Sequence, residues 1–135
     1  MNAQVDHAKD QARPQYESIA EMVQALHPYG KDEYEEDQLE RARERIQEDP
    51  LSVQVRCPWQ SVGEEGAKPD QYNILLCTGG PAVRIIGTLS EYLEPDSARI
   101  QYQDWDTPWT DYPLTSEQEA IVLEYAQQFY YGELS

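Results

Sequence analysis

Apolar side chains near the start of the chain recur with a helical period. From Pro14 to Leu26 they stand three and four positions apart, which places them on one face of a helix. A second helix is predicted from about Asp32 to Asp49, where a thin apolar stripe runs between charged positions. Residues 1–13 are polar and show no such period, so they are predicted to form a flexible N-terminal tail.

The pattern then changes to the alternation that is typical of strands. Four segments show it or carry continuous apolar runs, at 51–57, 72–78, 82–89 and 98–103. A glycine pair at 79–80 separates the second segment from the third and suits a tight hairpin turn, so these two strands are predicted to be antiparallel neighbours at the sheet centre. Cys57 and Cys77 lie in two of these segments and are predicted to be reduced core residues.

The last apolar period predicts a C-terminal helix. Ser116 and Glu119 have the spacing of a capping box, in which each side chain accepts a hydrogen bond from the other's backbone N–H, and Gly132 is placed at the helix end. The predicted fold class is α+β, with a four-stranded, mostly antiparallel sheet packed by N-terminal helices and one C-terminal helix. Residues 14–135 are expected to form one domain, with an acidic helical part at 14–49 and the sheet and last helix at 50–135.

The net charge of the chain limits the classes of molecule that it is expected to bind. Its 26 acidic and 10 basic side chains give a formal net charge of −16. Nucleic acids and anionic membranes are themselves polyanions, so direct binding to either is not expected. The negative charge has two possible meanings: either the partner is a basic protein, or the charge serves only to keep the protein soluble. No segment approaches the ~20 apolar residues of a membrane span and no secretory leader is recognisable, so a cytoplasmic location is predicted.

No residue pattern supplies a catalytic or metal-binding site. The two histidines, His7 and His27, have no nucleophile at a recognisable spacing. Asp104, Asp106 and Asp111 lack the ligand spacing and the turn glycine of a calcium loop. The chain is therefore predicted to be no enzyme and to hold no metal and no cofactor.

Two groups of residues are candidates for binding a partner. In the second predicted helix, carboxylates recur every three or four positions and line one face. This first group contains Glu33, Glu36, Glu40 and Glu44. The second group combines acids with tryptophans, which anchor many interfaces, in a C-terminal region without lysine or arginine. Its members are Asp104, Trp105, Asp106, Trp109 and Asp111.

Each group has an alternative interpretation. Arg41, Arg43 and Arg45 can pair with the acids of the second helix, which would leave a solvated, self-paired surface. The C-terminal aromatic residues can instead complete the core of a small domain, and Trp105 and Phe129 are expected to do so.

Five short segments of the chain carry a likeness to known proteins. They are LSVQVR (51–56), ILLCTGGPA (74–82), YQDW (102–105), TPW (107–109) and FYYGE (129–133). Through them the region 51–133 resembles a family of small, poorly characterised proteins of bacteriophages and conjugative elements. The resemblance implies a bacterial host cell and supplies no catalytic residue. Small acidic proteins in that setting are often inhibitors of host defence, such as anti-CRISPR and anti-restriction proteins that mimic DNA.

Two hypotheses of function follow. In the first, which is favoured, the protein is a non-enzymatic inhibitor of a bacterial defence nucleoprotein, whose basic nucleic-acid-binding surface it occupies with an acidic, aromatic-anchored face. In the second, it binds a small molecule such as a nucleotide, as a signal sponge or an enzyme. Trp105 and Trp109 would then stack on a base while Arg84 and Arg99 hold its phosphate. The sequence leaves the target complex and the oligomeric state open.

Overall fold

A computed structural model describes residues 3–27, 36–64, 66–79, 81–104 and 107–132. Within these ranges the chain forms two helices, then five strands, then a third helix. None of the described helices is long and apolar enough to cross a membrane. The elements are α1 (Ala3–Gln24), α2 (Glu36–Glu48), β1 (Ser52–Arg56), β2 (Gln71–Cys77), β3 (Ala82–Thr88), β4 (Arg99–Gln103), β5 (Thr110–Tyr112) and α3 (Ser116–Ala126).

The five strands form one antiparallel sheet in sequence order, from β1 to β5. The α+β class, the four predicted strands and the antiparallel pairing of β2 with β3 are confirmed. Gly79, in the turn between them, has a φ of +105°, which costs a glycine little. The sheet has one strand more than predicted, because β5 is only three residues long and too short to show an alternating pattern.

Alternation along the strands divides the sheet into two faces. In β2 and β3 every second side chain is buried, on the face against which α1 packs. Apolar side chains of all three helices join these strand residues in one core. Burying a large apolar side chain stabilises a fold by about 1.5–3 kcal/mol. The largest fully buried side chains are Tyr125, Ile19, Met22, Ile46, Ile74, Ile85, Ile100, Val83 and Val122.

α1 extends further toward the N-terminus than predicted. It begins at Ala3 and continues through Pro14, so the predicted helix start is wrong and residues 3–13 are helix rather than tail. Proline usually marks a first helical turn because it lacks the backbone N–H that an interior position needs. Here Ala12 is completely buried in the core, and alanine, lysine and glutamine at 8–12 favour helix, so packing and propensity together stabilise the turns before Pro14.

α3 has the predicted type of cap one residue earlier than expected. Thr115 is the N-cap, in an extended conformation, and its Oγ1 accepts a hydrogen bond from the Gln118 N–H at 3.2 Å. The Gln118 side chain accepts one from the Thr115 N–H at 2.9 Å, which completes the capping box. The proposed pair of Ser116 and Glu119 is therefore wrong, because Ser116 is already the first helical residue. The helix ends at Ala126 with Gln127 as C-cap, so Gly132 does not end it.

The two cysteines differ in their surroundings. Both are free thiols, but Cys57 is exposed, contrary to its predicted place in the core, while Cys77 is half-buried. Cys57 follows the last residue of β1, where the chain has already left the sheet. Burial raises the pKa of the Cys77 thiol, which keeps it in the weakly reactive protonated form.

α2 is attached to the domain through one side of the helix and its C-terminal end. Ile46 is completely buried in the core. Gln47 Nε2 donates a hydrogen bond to the Gln128 carbonyl oxygen at 2.6 Å. Just beyond the helix, Asp49 Oδ2 accepts a hydrogen bond from the Tyr125 hydroxyl at 2.7 Å. Burial and this bond raise the pKa of the Tyr125 phenol well above its ordinary value, so α3 holds the end of α2 through a neutral donor and a carboxylate.

At Gly87 the chain leading into β4 passes very close to β3. A Cβ atom at this position would lie 2.0 Å from the Ser97 carbonyl oxygen and 2.8 Å from Tyr72 Cε1. The Tyr72 hydroxyl donates a hydrogen bond to the same carbonyl oxygen at 2.6 Å. Gly87 is therefore the residue that lets β2, β3 and the Ser97 turn meet.

We expect Gly87→Ala to lower the free energy of unfolding by about 2 kcal/mol or more, because backbone and a buried ring must move to admit one methyl group. Urea unfolding followed by circular dichroism measures the change. Gly132→Ala is the matched control, since its Cβ would meet the ring of the exposed Tyr130 at 3.2 Å, and that ring is free to turn aside. Equal stability of the two variants would show that the close approach at Gly87 is not a constraint.

We expect Tyr125→Phe to lower the free energy of unfolding by about 1–3 kcal/mol, because the Asp49 carboxylate then loses a donor in a part-buried place. Thermal unfolding at neutral pH tests this. Tyr92→Phe removes a hydroxyl from a side chain that is 76% exposed and should leave stability within about 0.5 kcal/mol of the parent. A Tyr125→Phe protein as stable as Tyr92→Phe would contradict the assigned role of the bond.

Candidate functional site

Three exposed carboxylates form a ladder along α2. Glu36, Glu40 and Glu44 are each one helical turn apart, which is a rise of about 6 Å per step, and all three are exposed. Ala42 and Ile46, on the other side of the helix, are buried. These three glutamates are called the α2 acidic surface below.

Arginines stand near the α2 acidic surface without forming ion pairs with its three glutamates in the described residues. Among the residues that the structure describes, Glu36, Glu40 and Glu44 take part in no ion pair. Arg45 instead lies toward α1, with its Nη1 atom 3.7 Å from Glu21 Oε1. The ion pairs of a self-paired surface are thus not formed by these three glutamates, although Arg43 lines the same side of the helix.

A groove of about 650 Å³ runs beside the α2 acidic surface. The groove is lined by the three glutamates together with Leu39, Arg43 and Gln47. Leu39 is half-buried, so the groove has an apolar side chain beneath its charged rim. A partner that brings both positive charge and an apolar contact would complement it.

The described members of the C-terminal group, Asp104, Trp109 and Asp111, do not extend this surface. Glu33, Trp105 and Asp106 lie outside the described residues. Asp104 is 7% exposed, and its backbone forms hydrogen bonds with Thr107, so it is not available to a partner. The structure therefore places Asp104 in a buried position after β4 rather than on an exposed acidic face.

Trp109 and Asp111 belong to a different surface, the open face of the sheet. The Arg84 guanidinium lies over the Trp109 ring, with Cζ 4.0 Å from the ring centroid. Asp111 accepts a hydrogen bond from Gln101 Nε2 at 2.9 Å and stands 3.5 Å from Arg99 Nη1. The charge of Asp111 is therefore directed at an arginine of its own chain and is not displayed as part of an acidic face.

The open face of the sheet contains a cleft of about 430 Å³ that is lined by Arg56, Arg84 and Arg99. This arginine cleft also includes Asn73 and Ile86. The sequence hypothesis of a small-molecule site had named Arg84 and Arg99, and the structure brings these two together. That hypothesis did not include Arg56, which lies on β1, whereas Arg84 and Arg99 lie on β3 and β4. Only the pairing register of β1, β2, β3 and β4 shows that the three arginines share one face.

Most of the C-terminal aromatic residues belong to the core. Tyr102, Tyr125 and Tyr131 are buried, and Phe129 packs against Tyr125 with ring centroids 5.4 Å apart. Phe129 thus packs on the core as predicted. Tyr130 is 77% exposed and borders a separate pocket of about 550 Å³ near the end of α3. Of these aromatic residues, Tyr130 is therefore the one that is exposed enough to contact a partner.

The described residues offer little to a metal ion. His27 Nε2 is hydrogen-bonded to the Glu124 carboxylate at the surface, which joins the end of α1 to α3. In the part of the chain that the structure describes, no three histidine, cysteine, aspartate or glutamate side chains are grouped so that they could hold a metal.

Comparisons with known proteins return no match: no family model fits the chain, and neither the curated proteins nor the solved structures contain a similar one. No activity or binding partner is therefore transferred from a relative. What remains as evidence of function is the chemistry of the α2 acidic surface and of the arginine cleft.

Proposed function

We propose that this protein is a non-enzymatic inhibitor that binds a basic, nucleic-acid-binding surface of a bacterial defence nucleoprotein. The observation that carries the proposal is the α2 acidic surface, where three exposed carboxylates stand in line without ion pairs among the described residues. An unpaired ladder of negative charge on a rigid helix is a ready complement to lysines and arginines that normally contact phosphates.

The spacing of the ladder supports a partial imitation of a nucleic-acid strand. Successive carboxylates rise by about 6 Å along the helix axis, against one phosphate per ~3.4 Å along each strand of duplex DNA. The ladder therefore offers roughly one charge for every two phosphates of a strand. Glu33, predicted to continue the same face, would lengthen it. The net charge of −16 would speed the encounter with a cationic partner through long-range attraction.

The class of target is proposed from the resemblance of the sequence to proteins of bacteriophages and conjugative elements. Such elements meet CRISPR surveillance complexes and restriction enzymes in the host cell, and both kinds of complex have basic grooves for nucleic acid. Blocking such a groove needs no catalytic group, which agrees with a role as an anti-CRISPR or anti-restriction protein. Leu39 and the groove beside it would provide the apolar contact that long-range charge alone does not.

We expect the tagged protein to capture a basic nucleic-acid-binding complex from bacterial lysate at low salt and to lose it at high salt, because screening weakens exposed charge pairs. The triple variant Glu36→Lys, Glu40→Lys, Glu44→Lys should capture none of it and should no longer inhibit its nuclease activity. Mass spectrometry identifies the captured proteins, and a cleavage assay with the captured complex measures the inhibition.

A control of equal charge change distinguishes a binding face from a general effect of net charge. Glu64→Lys, Glu91→Lys, Glu94→Lys reverses three exposed acids in the loop after β1 and in the β3–β4 connection. This control should keep capture and inhibition. The proposal fails if the α2 variant, folded by circular dichroism, inhibits as well as the parent, or if both triple variants lose binding equally.

A further inference from the structure

Positive charge in the second half of this acidic chain is gathered in one place. Four basic residues follow position 50, namely Arg56, Lys68, Arg84 and Arg99. Three of the four line the arginine cleft on the open face of the sheet. In a chain of net charge −16, such a cluster opposes the overall composition and indicates a local requirement for positive charge.

The strand register explains how the three arginines surround one patch of sheet. Ile86 of β3 stands opposite Asn73 of β2 on one side and opposite Arg99 of β4 on the other. Arg84 and Arg56 lie one step along the strands from this row, in opposite directions. Arg84 and Arg99 are diagonal neighbours on adjacent strands, about 7–8 Å apart. Arg56 is diagonal to Asn73 and lies two strands from Arg84, so the three arginines border Asn73 and Ile86 from different sides.

Arg84 is held in position before any ligand arrives. Its Nε and Nη2 atoms donate to Gln101 Oε1 at 3.0 and 2.8 Å. Gln101 is itself oriented by donating to Asp111, and the guanidinium plane is supported by the Trp109 ring. These bonds use two of the five guanidinium N–H groups, which leaves donors for a ligand. Because Arg84 covers this face of Trp109, that face is not free to stack on a base.

The arrangement is electrostatically incomplete without an anion. Burial and the nearby charge of Arg99 lower the pKa of the Arg84 guanidinium, so its positive charge is disfavoured where it stands. Within the described part of the chain, Arg84 and Arg56 have no carboxylate partner, and the pair of Arg99 with Asp111 is half exposed. An anion bound between the arginines would stabilise all three charges.

A second feature of the cleft requires a hydrogen-bond donor. Asn73 Oδ1 is buried and has no hydrogen-bond partner among the described residues, which is rare because an unsatisfied buried acceptor is costly. It lies beside the half-buried Ile86, which gives the cleft an apolar floor. The volume of about 430 Å³ is in the range of sites for small molecules.

From these observations we infer that the arginine cleft binds a small phosphomonoester of the mononucleotide class. The phosphate is held by Arg56, Arg84 and Arg99, since guanidinium groups form charge-assisted, paired hydrogen bonds with phosphate oxygens. Asn73 accepts a hydrogen bond from an amino or hydroxyl group of the same ligand, whose apolar surface covers Ile86. This binding is separate from the α2 acidic surface and does not depend on the function proposed for it.

Titration of the ¹⁵N-labelled protein with adenosine 5′-monophosphate, inorganic phosphate and adenosine tests the inference by nuclear magnetic resonance. We expect millimolar or tighter binding of the nucleotide, weaker binding of phosphate, and none of adenosine. The arginine Nε–H signals of Arg84 and Arg99 should shift. Arg56→Gln and Arg99→Gln should each weaken nucleotide binding about tenfold, the effect of losing one charge-assisted hydrogen bond.

Two further variants separate the parts of the site. Asn73→Ala should weaken binding of the nucleotide but not of inorganic phosphate. Arg41→Gln removes an equal charge from exposed α2 and should change neither affinity. The inference is overturned if no phosphate compound binds at millimolar concentration, or if Arg41→Gln weakens binding as much as Arg56→Gln. Equal affinity for nucleotide and inorganic phosphate would overturn the mononucleotide class.

Discussion

The register of β2, β3 and β4 is the constraint on which the core and the arginine cleft depend. Side chains alternate across a sheet, so a shift of one residue in any pairing would expose the buried row and carry arginines into the core. Ile74, Ile85 and Ile100 occupy one row of paired positions on the core face. Once they are buried against α1, Arg84 and Arg99 can only stand on the opposite face. Hydrophobic burial thereby places these arginines of the sheet on the face turned away from α1.

On α2, packing holds acidic side chains at the surface, whereas in the sheet it places arginines there. The inner side of α2 contributes Ile46 to the core, while Glu36, Glu40 and Glu44 form no ion pair with any residue that the structure describes. Like charges at this spacing destabilise a helix slightly, so packing and the Tyr125 contact at its end must hold α2 in place. A cationic partner would remove this repulsion. Binding and the stability of α2 are therefore linked, in the sense that any ligand of the folded state stabilises it.

The sequence predicted the elements whose signal is local and long. Strands β1 to β4, the antiparallel pairing of β2 with β3, and α3 follow from apolar period and glycine position. It did not predict the turns of α1 before Pro14, because the burial of Ala12 is a tertiary effect. The arginine cleft could not be predicted from local patterns. Arg56, Arg84 and Arg99 are far apart in the sequence, and only the pairing of the strands places them on one face. Arg84 and Arg99 were named from the chain, but their relation to Arg56 is a property of the sheet.

The two surfaces lie on opposite sides of the sheet, and this bears on whether they influence each other. Direct electrostatic coupling between exposed groups weakens beyond a screening length of about 8 Å at physiological salt. A chain of contacts does connect them: Tyr72, which lines the cleft, packs on Tyr131, and α3 carries Tyr125 to the end of α2. Contiguity alone is not coupling, because a signal requires an element with two arrangements. The fixed core between the surfaces favours two independent binding sites in one small domain.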